Sequence, residues 1–239
     1  MSCSAVITGT VPMDDEVLFK GTEIKMDTPY GPASVMQAEK VLYLFRHGST
    51  GDEHILPHLV NHPANLWALK EMGAEQAIAI CSVGSLKRLL PPDTLLIPDD
   101  FIMLTGAQPV FPRDAVHVTP TLDTRVRKRL LRASHALGET VIDGGVYWQT
   151  IGPRFETKAE IRMMALFADV VGMSMAGEAI AALELNLPYA AICSVDNYAH
   201  GLGEKEPDLE EITAHAGANA RRVWNVVKEI LTTPVVDSL

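Results

Sequence analysis

Arg46, His47 and Gly48 directly follow the apolar run 41–45 (VLYLF). An arginine fork suits a phosphate or a carboxylate, histidine adds a donor, and glycine lets the backbone come close. A solvated pair at a strand end would have the same composition. Thr10 follows Ile7-Thr8-Gly9 and brings a hydroxyl that both donates and accepts, although Gly-Thr after a strand is ordinarily a turn. Ser174, in Gly172-Met173-Ser174, precedes a helical stretch that opens near Gly177-Glu178. A hydroxyl beside a helix N-terminus can bind an anion, or it can simply cap the helix. Met173 fits either a core or the apolar face of a sugar.

A second group has the chemistry of a heteroaromatic ring site. Residues 152–157 (GPRFET) join a strand to a helix. Phe155 could stack on a ring and Glu156 could accept its N–H groups. A hydrophobic plug followed by a helix-start carboxylate is the alternative. Asn197 ends another apolar strand, and its amide can read adjacent acceptor and N–H edges of one base. As a turn residue it would need no such role.

These side chains need a scaffold that gathers strand ends. Strand-length apolar runs stand at 5–8, 41–45, 77–80, 94–97, 141–148, 170–172 and 189–195, with Gly144 and Gly145 marking a bulge or close approach in the fifth. Helical patterns cover 61–73, 127–137, 157–167 and 178–185. A long final helix repeats Ile212, Ala216, Val223, Val226 and Ile230 near the helical period. Strand–helix alternation implies an α/β fold with a mixed central sheet flanked by helices, and such sheets bind ligands at their carboxyl ends. No repeat or linker divides the chain, so residues 1–239 read as one domain.

The net charge of −10 leaves no basic surplus for nucleic acid. Cys3, Cys81 and Cys193 are odd in number and widely spaced, which suggests neither a disulfide framework nor a thiolate metal site. The opening MSCSAVITGT has no signal-peptide pattern. The most apolar window, 163–183, carries Asp169 and Glu178 and reads as a buried strand plus helix. A reducing, cytoplasmic setting away from membranes is the simpler expectation.

In their order along the chain, these segments resemble the trimeric purine nucleoside phosphorylases, in particular the 5′-methylthioadenosine phosphorylase branch. The resemblance runs from Ile7 to the final helix. It is carried by Asp27-Thr28-Pro29-Tyr30-Gly31, Arg46-His47-Gly48, residues 61–73 (NHPANLWALKEMG), Gly84-Ser85-Leu86, residues 152–156 (GPRFE) and residues 169–178 (DVVGMSMAGE). It implies phosphorolysis: nucleoside plus phosphate gives purine plus ribose 1-phosphate, with phosphate as co-substrate and neither metal nor organic cofactor. It implies a homotrimer, or a dimer of trimers. Phosphate would be held by Thr10, Arg46, His47 and Ser174, with Cys81-Ser82 adding donors, although relatives often carry threonine where Cys81 stands. Phe155, Glu156 and Asn197 would hold the base. Met173 would meet the sugar, and His117 would reach the neighbouring subunit's site. Asn197, with Arg46 and His47, would carry the catalysis.

Within that resemblance, the Glu156/Asn197 pair looks like that of 6-oxopurine enzymes. A carboxylate accepts N1–H of hypoxanthine or guanine but faces a lone pair on adenine. Leu209, near the start of the last helix, favours an apolar 5′ substituent, which suits 5′-methylthioinosine. His200 and His215 are further candidates for the 5′ side. The alternatives are a 5′-methylthioadenosine phosphorylase, a nucleoside hydrolase, or a non-catalytic nucleoside binder. A hydrolase needs a carboxylate-rich calcium site, and only Asp14-Asp15 and Asp99-Asp100 are paired aspartates.

Overall fold

The computed structural model describes residues 3–12, 21–48 and 54–233. Asp14 and Asp15 lie outside them. The fold is α/β, built on one mixed sheet of eleven strands. At its centre are β5 (Gln76–Ser85) and β11 (Tyr189–Tyr198), which pair in parallel over almost their whole length. Both are buried nearly throughout because helices cover both faces, so they read as continuous apolar runs.

The sheet forks at β5. β11 occupies one edge of that strand, and two strands share the other. β1 (Ser4–Thr8) runs parallel to its first half, and β10 (Val170–Gly172) pairs antiparallel with its end, at Gly84 and Ser85. From β1 the sheet continues through β4 (Val41–Phe45) to the antiparallel hairpin β2 (Thr22–Thr28) and β3 (Gly31–Ala38). From β10 it continues through β9 (Val146–Gln149) to β7 (Asp100–Ile102). Beyond β11 lie β6 (Leu95–Ile97) and β8 (Val141–Asp143).

Two expectations change here. The run 141–148 is two strands, not one. Gly144 and Gly145 take φ of 100° and 112°, which turns the chain so that β8 joins β6 while β9 joins β7 and β10. The hairpin β2–β3 has no counterpart among the expected strands. β2 (TEIKMDT) is largely solvent-facing, so it lacks the apolar run that marks a buried strand.

Alternation along β5 sorts the core into two layers. Ala77, Ala79 and Cys81 face α1 (His62–Glu71) and α4 (Met175–Glu184). Ile78 and Ile80 face α2 (Thr124–Ala136) and α5 (Leu209–Thr232). In α5 the expected residues Ile212, Ala216, Val223, Val226 and Ile230 are all buried. A third cluster holds α3 (Lys158–Met164) against Trp148, Val171 and Leu86. The helix starts are chemically marked. Asn61 accepts from Ala64 N–H at 3.1 Å and donates to the Tyr30 carbonyl at 2.7 Å, fastening α1 to the hairpin turn. Thr157 and Glu160 form a capping box on α3. Among the described residues no helix is long and apolar enough to cross a membrane.

Candidate active site

The ends of β1 and β4 meet the middle of β5 under the N-terminus of α4. The Arg46 N–H donates to the Thr8 carbonyl at 2.9 Å. A Cβ at Gly9 would stand 2.8 Å from His47 Cδ2 and 2.9 Å from Arg46 Nη1, so only glycine lets the chain entering Thr10 lie against that pair. Thr10 itself is half-buried.

Arg46 is buried, and its fork closes on a protein carboxylate. Nε donates to Glu178 Oε1 at 2.6 Å and Nη2 to Oε2 at 3.1 Å, while Nη1 donates to the Ile80 carbonyl at 2.8 Å. Tyr189 Oη donates to the same Oε2 at 2.8 Å. The expectation of a guanidinium fork open to an anion therefore narrows to the Nη1 edge beside Gly9 and His47. Glu178, in the first turn of α4 and fully buried, is the partner that residue-by-residue reading missed. A carboxylate within the apolar helix MAGEAIAALE was its only sequence signal.

His47 Nδ1 donates to the Ile55 carbonyl at 2.8 Å, which leaves Nε2 as the acceptor of a neutral ring. Burial and the adjacent Arg46 push its pKa down to about 4. Such a ring takes the O–H of a protonated phosphate rather than donating to a dianion. His54 stacks on it with centroids 5.2 Å apart. Because the fold favours the neutral ring, its contribution to stability is full above the ordinary histidine value of 6.5. It is lost as pH falls from there through about 4. Asp196, with its pKa raised to about 6, acts in the opposite sense over part of that window. The comparison that isolates His47 is thermal denaturation of wild type and His47→Asn between about pH 7 and pH 4. The variant is expected to lose less melting temperature on acidification.

Ser174 occupies the N-cap position of α4 but makes no side-chain capping bond. Strand β9 caps the helix instead. Tyr147 Oη accepts from the Ser174 and Met175 N–H groups at 3.2 and 3.4 Å, and Gln149 Oε1 accepts from Gly177 N–H at 2.9 Å. The Ser174 hydroxyl is thereby released from capping, which favours the anion role over the N-cap alternative. Gly172 is required here because a Cβ would collide with Tyr147 Oη. Met173 Sδ lies over Gly152, where a Cβ would stand 2.6 Å away, with Pro57 beside it. Cys81 is buried beneath Arg46 with its Sγ 4.0 Å from Nη2, and is the register partner of Cys193. It is therefore a core thiol and not an open anion donor, while Ser82, on the opposite face of β5, lies beside Asp196.

Of the ring-binding candidates, Phe155 and Glu156 follow β9 on the other limb of the fork, and Asn197 lies near the end of β11. Glu156 is buried and accepts from Thr150 Oγ1 at 2.7 Å, which leaves Oε2 available. His200 Nδ1 donates to its carbonyl at 3.0 Å. Arg154 grips Glu160 through two bonds of 2.9 and 2.8 Å, fixing the segment that presents Phe155 and Glu156. Phe155 keeps 39% of its surface exposed, enough to offer a ring face. Asn197 packs over Gly84, where a Cβ would stand 3.4 Å from its Nδ2. Beyond Asn197 lies a cavity of about 230 Å³ between the end of β11, residues 203–208 and the start of α5.

Two of the expected site residues lie on the surface of the chain. His117 is exposed in the irregular stretch before α2, and Leu209 is 66% exposed at the first turn of α5 without lining the cavity. His215 is held on Asp93 at 3.0 Å. Asp99 and Asp100 accept from the Gly145 and Phe101 N–H groups, both at 2.8 Å. Among the described residues no three His, Cys, Asp or Glu side chains gather as metal ligands would.

The chain is 40% identical to a probable 6-oxopurine nucleoside phosphorylase of Archaeoglobus fulgidus, over 94% of this chain and 93% of that one. It is 42% identical to a probable S-methyl-5′-thioinosine phosphorylase of Methanothermobacter thermautotrophicus, over 77% of this chain and 67% of that one. Among solved structures, methylthioadenosine phosphorylase from Schistosoma mansoni shares the fold with a TM-score of 0.85 at 21% identity, covering 97% of this chain and 91% of that one. A methylthioadenosine phosphorylase from an antarctic soil metagenomic library superposes with a TM-score of 0.80 at 28% identity, covering 96% and 85%. The family model described as the phosphorylase superfamily matches residues 5–232, and the chain belongs to that superfamily.

Proposed function

We propose that the protein is a purine nucleoside phosphorylase that uses phosphate to release 6-oxopurines, with inosine-type or 5′-methylthioinosine-type nucleosides as substrates. The observation that carries the base preference is the buried Glu156, anchored by Thr150 with one carboxylate oxygen left over. Phosphate would lie among Thr10, the Nη1 edge of Arg46, His47 and Ser174, and Met173 would face the ribose. Breaking the glycosidic bond develops positive charge on the sugar and negative charge on the purine. Bound phosphate is nucleophile and counter-charge at once. Asn197 stabilises the leaving base at its N7/O6 edge. No organic cofactor enters this scheme.

The test is base release from inosine, 5′-methylthioinosine, adenosine and 5′-methylthioadenosine, each with and without phosphate. The expected result is phosphate-dependent release from the two inosine-type nucleosides. Release without phosphate would favour a nucleoside hydrolase. Release mainly from 5′-methylthioadenosine would favour that phosphorylase instead.

We further propose a cytoplasmic homotrimer in which His117 completes the next protomer's site. This histidine is exposed, in the irregular stretch before α2. A mass in solution of about three times the 26.0 kDa chain is expected. His117→Ala and Asn197→Ala are each expected to be nearly inactive alone. Unfolded together and refolded, they should regain part of the activity, because mixed trimers contain some sites with both residues intact. No recovery would count against a shared site.

A further inference from the structure

Asp196 stands at the irregular point of β11. The strand pairs Val195 with Val83 and then Asn197 with Gly84, so Asp196 is an extra residue at a bulge. Bulges re-aim side chains and occur beside active sites. Asp196 is fully buried. Its Oδ1 accepts from the Ser194 hydroxyl at 2.5 Å, and Asn219 Nδ2 donates to that serine oxygen at 2.9 Å. Its Oδ2 is buried without a hydrogen-bond partner in the protein. Leaving a buried carboxyl oxygen unmatched is costly. Asp196 is one of the residues lining the 230 Å³ cavity, beside Asn197.

We propose that Asp196 determines base specificity by reading the 6-substituent of the purine through Oδ2, donating to a 6-oxo group when protonated and accepting from a 6-amino group when ionised. The proposal rests on the reading of Asn197 as the residue at the N7/O6 edge, since the neighbouring carboxyl then meets the same edge.

Burial raises the Asp196 pKa to about 6, against the opposing pull of Ser194, Ser82, Asn219 and His215. Both forms are therefore accessible near neutrality. The charged groups facing it across the cavity are His215 and Glu211 of α5, and Glu204, Lys205, Glu206 and Asp208 of the covering loop. His215 is in turn held on Asp93. Linkage gives the sign. A 6-oxopurine stabilises the protonated carboxyl, so its binding takes up a proton above about pH 6. A 6-aminopurine stabilises the carboxylate, so its affinity falls below that pH.

The experiment is titration calorimetry of the full chain with hypoxanthine and with adenine, in the presence of phosphate. It is run at about pH 5 and about pH 7.5, in two buffers of different ionisation heat. The expected result is a hypoxanthine-to-adenine affinity ratio that falls about tenfold or more from the lower to the higher pH. Proton uptake should accompany hypoxanthine binding at the higher pH. In Asp196→Asn the ratio should be constant and the uptake absent. A wild-type ratio that does not move with pH, or a variant that keeps the shift, overturns the proposal. So does binding of neither base. Should the variant not fold, the wild-type proton uptake decides alone. Base binding needs no turnover, so absent phosphate-dependent release would refute the phosphorylase reading separately.

Discussion

Arg46→Ala is expected to abolish phosphorolysis and to destabilise the protein by about 3–5 kcal/mol, because it strands Glu178 as an uncompensated buried charge. The two side chains are 2% and 1% exposed, so bulk solvent does not screen the pair. The remaining interaction of Glu178 is the Tyr189 hydroxyl, which stabilises a carboxylate but does not neutralise it. A double variant separates structure from chemistry. Arg46→Leu with Glu178→Leu removes both charges from a site floored by Ala79, Cys81 and Ala191. Replacing a buried pair by apolar groups is often neutral or stabilising. The double variant should therefore melt close to wild type while remaining inactive, because the Nη1 edge beside Gly9 is gone. Chemical denaturation and a phosphate-dependent assay read the two quantities independently. Activity in the double variant would show that phosphate does not meet Arg46.

Glu156→Gln should change the selectivity between bases more than the rate on the preferred one. A buried group built to pair a substrate N–H can discriminate against a base lacking it by about 10⁴-fold. The carboxylate accepts N1–H of a 6-oxopurine and repels the N1 lone pair of adenine. A glutamine amide can turn either its oxygen or its NH₂ toward N1, so it serves both bases. The inosine-to-adenosine ratio of kcat/KM is expected to fall by roughly 10²-fold or more. The Thr150 hydroxyl still finds an acceptor in the amide oxygen, so stability should change little. An unchanged ratio would move base recognition away from Glu156.

How legible these features were in the sequence depended on whether each left a local pattern. Runs such as 41–45 and 189–195 mark buried strands because both faces are covered, so nearly every residue is apolar. The solvent-facing β2 leaves no such run. Arg46 was visible as an arginine at a strand end, but its state was not. Its partner lies 132 residues away, and a long-range ion pair has no spacing signature. Ser174 was correctly placed at a helix start. That Tyr147 and Gln149 do the capping could not be read, because it depends on β9 lying beside β10. Asp196 has no sequence signal that sets it apart from its neighbour Asn197, since a bulge is a property of pairing register and not of composition.

The forked sheet works as a caliper. On the proposed function, one jaw, β1 and β4, carries the nucleophile's seat, and the other, β9 and β10, leads to the segment presenting Phe155 and Glu156 to the leaving group. Both are hinged on β5. Helix α4 is the set screw, joined to the first jaw through Glu178 and Arg46 and to the second through Gly177 and Gln149. Two side-chain contacts from one helical turn thus tie the two jaws together and, on the proposed function, set the gap between nucleophile and leaving group.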